Sequence, residues 1–220
     1  MQIEIVKADK SMADELAKVK RSAWETTYRG IYPEEKFDNY DFKSQSEKFR
    51  ALIENKQEHV FVALCENKIV GYMSCGKPIR VFKDYNAEIT LLYVLKEFQG
   101  LGLGRRFFNV GKKQLENDGF KCFFISCNKY NFPAQKFYEK MGGKIVHVDE
   151  DEEDRSLPQV KFEYEIRKTQ IWEDICKKCN KICEILTFLF KRSWKTYNFF
   201  DKIVWNKIWK SLLFLIFHML

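Results

Sequence analysis

Ile89-Thr90-Leu91-Leu92-Tyr93-Val94-Leu95 is a near-continuous apolar run, and glycines at alternate positions, Gly100, Gly102 and Gly104, follow it. Such a run reads as a strand buried on both faces. The residues from 103 to 117 then carry a helical pattern. A buried strand, a glycine turn and a helix in succession require a sheet covered by helices, because neither element can hide its apolar surface alone. The glycines strip side chains from the start of that helix. Its free N–H groups and dipole then suit an anion, and Arg105 and Arg106 add charge beside them. A pyrophosphate is the natural guest.

Spacing separates this turn from other anion loops. The dinucleotide fingerprint Gly-x-Gly-x-x-Gly fails in both frames, since Arg105 and Phe107 stand where its last glycine would fall. A P-loop fails as well. The nearest stretch, Gly71 to Lys77, has Pro78 in place of the hydroxyl residue and reads as a strand.

The flanking chain alternates strand and helix signals. Residues 3–8 alternate as a strand, and 12–28 carry apolar residues at helical spacing. Pro33 lies in the loop that follows, and 46–55 reads as a second helix. Residues 60–65 and 69–75 form a hairpin around Glu66-Asn67-Lys68. Residues 122–127 read as a buried strand, 133–141 as a short helix with Pro133 in its first turn, and 145–148 and 160–166 as closing strands. The order β-α-α-β-β-β-α-β-α-β-β predicts a mixed α/β sheet, antiparallel early, with parallel pairing around the helix at 103–117.

These signals end near Thr169. Residues 169–220 hold nine Lys and Arg against four Asp and Glu, and four of the five tryptophans. The whole chain has 220 residues and a net charge of +7, so most of the basic excess belongs to this tail. We divide the chain into a domain at 1–168 and a basic, aromatic-rich, amphipathic helical tail at 169–220. The tail suits a membrane surface, a partner protein or the body of the chain. Its last uninterrupted apolar stretch is about half of the roughly 20 residues that span a bilayer. The nearly neutral body gives no grip for nucleic acid. Met1 to Ile5 does not read as a signal peptide. Seven scattered cysteines suit a reducing, cytoplasmic compartment. Cys176, Cys179 and Cys183 lack a fourth ligand, so no metal is expected.

Gln99-x-x-Gly102-x-Gly104 after a buried strand resembles motif A of the GNAT superfamily, the acetyl-coenzyme-A-dependent N-acetyltransferases. Asn131-Phe132-Pro133-Ala134-Gln135-Lys136-Phe137-Tyr138-Glu139-Lys140-Met141-Gly142-Gly143 resembles motif B. Ala23-Trp24-Glu25-Thr26-Thr27-Tyr28-Arg29-Gly30-Ile31-Tyr32-Pro33 is similar to the first-helix segment of many bacterial members. Leu95 and Gly143 depart mildly from the family pattern. The resemblance covers about residues 1–167 and implies the GNAT fold.

The resemblance also implies roles. The backbone of Gln99, Gly100, Leu101, Gly102, Leu103, Gly104 and Arg105 would hold the pyrophosphate of acetyl-CoA, with Asn131 in contact with the coenzyme. The pantetheine arm would lie along the strand ending at Tyr93 and Val94, where two strands splay apart. Tyr138 would be the acid that meets the leaving thiolate. Glu88, eleven residues before Gln99, would be the base, unless a water relay serves instead. The amine must attack in its neutral form. That costs a lysine-type amine roughly 4.6 kcal/mol at pH 7 and an α-amino group about 1 kcal/mol, so a base helps the first more. The expected reaction is acetyl transfer to a primary amine, either a small amine or a protein lysine or N-terminus. The alternative is a non-catalytic acyl-CoA-binding module whose tail recruits a partner or membrane. Homodimers are common in the family, and the oligomeric state stays open. The acids from Asp149 to Asp154 read as a solvated loop or as a lure for a cationic acceptor.

Overall fold

The computed structural model describes residues 2–166. The predicted tail, with Cys176, Cys179 and Cys183, lies outside the described residues.

Strand β1 (Ile3–Lys7) leads through a 3-10 turn, capped where the Asp9 carboxylate accepts the Ser11 N–H at 2.8 Å, into helix α1 (Ala13–Tyr28). A four-residue helix, α2 (Glu35–Asp38), follows Pro33. Helix α3 (Phe42–Glu54) begins four residues before the predicted start at Ser46. Asp41 caps it, accepting the Ser44 N–H at 3.1 Å. Strands β2 (Glu58–Cys65) and β3 (Lys68–Gly76) form the expected hairpin. Its two central residues, Glu66 and Asn67, have φ of 50° and 64°, which gives a turn whose twist matches the strands.

Strand β4 (Glu88–Val94) is the apolar run, and helix α4 (Leu103–Asn117) follows it. Then come β5 (Cys122–Asn128), α5 (Phe132–Lys140), β6 (Lys144–Val148) and β7 (Gln159–Glu165). The seven strands lie in the order β1-β2-β3-β4-β5-β7-β6. Every pairing is antiparallel except β4 with β5.

Each sheet face has its own core. Met73, Ile89, Phe107, Phe123 and Phe162 pack on the α4 side. Leu16, Phe49, Val62 and Tyr72 pack with α1 and α3 on the other. Covering both faces makes β4 apolar along its length, as its sequence requires.

The decisive irregularity lies between β4 and β5. They share one register pair, Glu88 with Phe124, and the Phe124 N–H donates to the Ala87 carbonyl at 3.2 Å. Beyond that pair they part. On its other side β5 keeps seven register pairs with β7, and β4 keeps its pairing with β3 up to Val94. Against β3, β4 carries one extra residue, Thr90, between Ile89 and Leu91. Such a bulge bends its strand and sharpens the twist. The result is a V-shaped gap that exposes the backbone edge of β4.

Candidate active site

The gap opens into a cavity of about 660 Å³. Its floor is β4, with Thr90, Leu92, Tyr93 and Val94 in the wall, and Ser126 and Cys127 of β5 line the far side. The mouth of α4 lies at one end. Gly100 and Gly102 sit in the left-handed region, at φ 76° and 79°, where a side chain would be strained. Gly102 is the residue before the helix, and the first helical bond runs from the Arg106 N–H to the Gly102 carbonyl at 3.1 Å. The N–H groups of Leu103, Gly104 and Arg105 therefore have no carbonyl partner within the helix. Gln99 steadies the approach, its Nε2 donating to the Val94 carbonyl at 3.0 Å.

The predicted coenzyme residues divide by side chain. Tyr93, Val94, Gln99, Gly100, Gly102, Gly104, Arg105 and Asn131 line the cavity. Leu101 and Leu103 do not, since Leu101 is exposed and Leu103 is buried in the core, so these two offer main chain only. Arg106 departs from the expectation that both arginines face the anion. Its Nη2 donates to the Ile3 carbonyl at 2.8 Å and ties α4 to β1. Arg105, Lys96 and Lys140 supply cations in the cavity wall.

Tyr138 lines the cavity from α5, with its ring packed against Phe137 and Phe162. Burial, and then the nearby Cys127 thiol and Tyr93, hold its hydroxyl well above the ordinary tyrosine range. It therefore stays protonated and can donate. Asn131 caps α5, its Oδ1 accepting the Ala134 N–H at 3.2 Å. Burial, and then the neighbouring Tyr32, hold the Tyr28 hydroxyl above the ordinary tyrosine range, and Tyr93 and Asn131 are near enough to act on it, so one cluster joins α1, β4 and α5.

Glu88 is not in the cavity wall, but Thr90, two residues on, is. The Glu88 side chain is buried near the root of the V. Burial pushes its carboxyl up to about 7, against the pull of the Ile79 N–H, Lys161 and the Thr90 hydroxyl. The Thr90 contact is too loose to count as a hydrogen bond, and its Oγ1 is without a partner.

The sequence missed the opposite wall. Tyr28 and Tyr32 stack with centroids 4.3 Å apart, and Trp24 meets both edge-on. These residues fall in the stretch quoted above, yet nothing in their spacing says that Tyr28 and Tyr32 line a cavity. Lys36 of α2 crosses to the segment between β6 and β7. It pairs with Asp154 at 3.1 Å and donates to the Ser156 hydroxyl. The acidic segment is partly engaged within the fold. Asp149 accepts the Gln159 N–H at 2.9 Å and meets His147 and Lys161, while Asp151 accepts the Tyr130 hydroxyl at 2.6 Å. Half of its six acids are thus spent on internal partners, which weakens the lure reading.

Residues 19–143 match the acetyltransferase (GNAT) family model. The chain belongs to the GNAT acetyltransferase family. An uncharacterized N-acetyltransferase of Bacillus subtilis is 31% identical over 137 residues, 61% of this chain and 76% of that protein. A spermidine N(1)-acetyltransferase of Thermoplasma acidophilum is 25% identical over 154 residues, 68% of this chain and 92% of that protein. Among solved structures, the PaiA N-acetyltransferase of Thermoplasma acidophilum in complex with coenzyme A superposes with a TM-score of 0.62 at 22% identity. That match covers 75% of this chain and 99% of the other. The acetyltransferase is thus an acyltransferase by family and shares the fold of a protein seen with coenzyme A. Among its described residues no helix is long and apolar enough to cross a membrane.

Proposed function

We propose that this acetyltransferase moves the acetyl group of acetyl-CoA to a primary amine, by direct attack on the thioester, with the catalytic domain at residues 1–168. The observation that carries the reading is the exposed β4 edge running to the bare N-terminus of α4. A pantetheine arm pairs with the first as a strand would, and a pyrophosphate suits the second. Arg105 adds a full charge at the phosphates. The thioester then lies in the V, beside Tyr93, Val94 and Tyr138.

The amine nitrogen attacks the thioester carbonyl carbon. A C–N bond forms, the C–S bond breaks, and the amine gives up a proton. Glu88 takes that proton, through a water or the Thr90 hydroxyl, because its carboxyl stands behind the wall. Tyr138 gives its proton to the departing sulfur and regains one from solvent. The products are the N-acetyl amine and the free thiol of coenzyme A.

The relative that acetylates spermidine supports a small amine as acceptor, while a protein lysine or N-terminus fits the same chemistry. The test is thiol release from acetyl-CoA over a panel of small amines, polyamines and peptides. Acceleration by at least one amine is expected. Coenzyme binding with no acceleration by any amine would favour a binding module instead. The full chain and a chain ending at Lys168 are compared in the same assay. Equal coenzyme binding is expected, and loss of folded protein on shortening would reject the boundary.

A further inference from the structure

The register of the central strands sets two acids on either side of a residue without a side chain. Glu58 of β2 pairs with Gly76 of β3, and Gly76 pairs with Glu88 of β4. Residues directly opposite on neighbouring strands share a face of the sheet. Both carboxyls therefore leave the same face, with Cα atoms about two strand spacings, roughly 9.6 Å, apart and bare backbone between them. Position 76 cannot fill that gap, because a Cβ there would lie 2.1 Å from the Gln57 carbonyl oxygen.

Both acids are buried, Glu58 at 6% and Glu88 at 7% exposure. Glu58 Oε2 has no hydrogen-bond partner. The Ser74 hydroxyl, fully buried two residues along β3 on the same face as Gly76, has none either. Buried polar atoms without partners are costly and concentrate where chemistry needs them. A structural pair of carboxyls would be separated or neutralised by lysines. Among the described residues, the one ammonium acting on the pair is Lys161 of β7, and it acts on Glu88.

We propose that Glu58 and Glu88 work as one charge-coupled pair, in which Glu58 is a positioning residue that strengthens Glu88 as the base. This rests on the reading of Glu88 as the group that takes the amine's proton. As the C–N bond forms, the amine N–H breaks and an O–H forms on Glu88. The neighbouring Glu58 carboxylate stabilises that protonated Glu88, and the proton later passes to solvent. No other reactant is needed. Burial pushes the Glu88 carboxyl up to about 7, and burial and then the charge of Glu88 push the Glu58 carboxyl up to about 7. Of the neighbouring groups on the opposite face of the sheet, the Cys75 thiol of β3, pushed up to about 12 by burial and then by Glu58, stays neutral. His59 and Asp118 pair with each other at 2.9 Å.

The test compares pH profiles of the coenzyme-saturated enzyme with its best amine. In the parent, the rate should rise across two ionisations, because two carboxyls whose charges interact titrate as a pair. Glu58→Gln should leave one ionisation at lower pH and lower the plateau kcat roughly threefold, as expected for a base weakened by about one pK unit. The acceptor KM should not change, and Glu58→Asp should restore most of the loss. A Glu58→Gln profile that superimposes on the parent, beside an inactive Glu88→Gln, would sink the pair alone. A normal rate in Glu88→Gln would sink the base assignment, and the pair with it. Carboxyl-carbon NMR titration of the parent needs no variant. Coupled, two-step curves for the two glutamates are expected, and independent one-step curves overturn the proposal.

Discussion

Tyr138 carries two duties, since its ring fills part of the core and its hydroxyl reaches the cavity. Phenylalanine keeps the first and removes the second. Tyr138→Phe should therefore fold normally, keep its KM for acetyl-CoA and lose about 10²-fold in kcat, the low end for a positioned acid because a thiolate leaves readily. Steady-state kinetics with the best amine would check this, and an unchanged kcat would remove Tyr138 from the chemistry. Single residues also mark where sequence reasoning ends. The place of Tyr138 beside the cavity was legible because it stands in a motif on a short helix. Arg106 was not, because its partner is a main-chain carbonyl about a hundred positions away in the chain. Nor could the sequence tell that Glu88 would be covered. A glutamate at a strand end is usually solvated, and only the fold brings the Ile79 N–H and Lys161 to bear on it.

Elements that carry their own period were read directly from the sequence. The strands and the four longer helices stand in the predicted order, because alternation and helical spacing are local signals. Helix α2 was missed because four residues are too few to show a period. The start of α3 was misplaced because Asp41, a cap, lies before the apolar stripe. The placing of β7 between β5 and β6 is a long-range pairing with no local signature. Helix α2 has a role that its length hides, since Lys36 clasps it to the segment between β6 and β7. The Ser156 contacts, and then the Lys36 ammonium, hold the Asp154 carboxyl down to about 2, so this carboxylate stays charged at every ordinary working pH. Lys36→Ala should loosen the wall near Tyr32 without touching α4. The expected result is a several-fold rise in acceptor KM with coenzyme KM unchanged. A parallel rise in both would place the effect on the whole fold instead.

At the scale of the whole molecule, the buried acids shape the pH dependence of stability. Glu58 and Glu88 titrate near 7 when folded, against 4.5 ordinarily. Between those values the folded state holds more protons than the unfolded chain. Stability is therefore greatest below about 4.5 as far as these groups decide it, and falls as pH rises toward 7. The slope is at most about 1.4 kcal/mol per pH unit for each group. Denaturant unfolding at pH 5 and pH 7.5 should show this decline, and Glu58→Gln should flatten it. An equal decline in the variant would assign the effect elsewhere.

One rung joins a four-strand half of the sheet to a three-strand half. An extended ligand lying in that seam acts as mortar between two leaves, sealing what the polypeptide leaves unjoined. Filling the seam should slow amide exchange along Ile89 to Val94. It should also stabilise the chain by about 2.7 kcal/mol at a hundred times the dissociation constant. Exchange that stays fast there under saturating coenzyme A would mean the donor lies elsewhere.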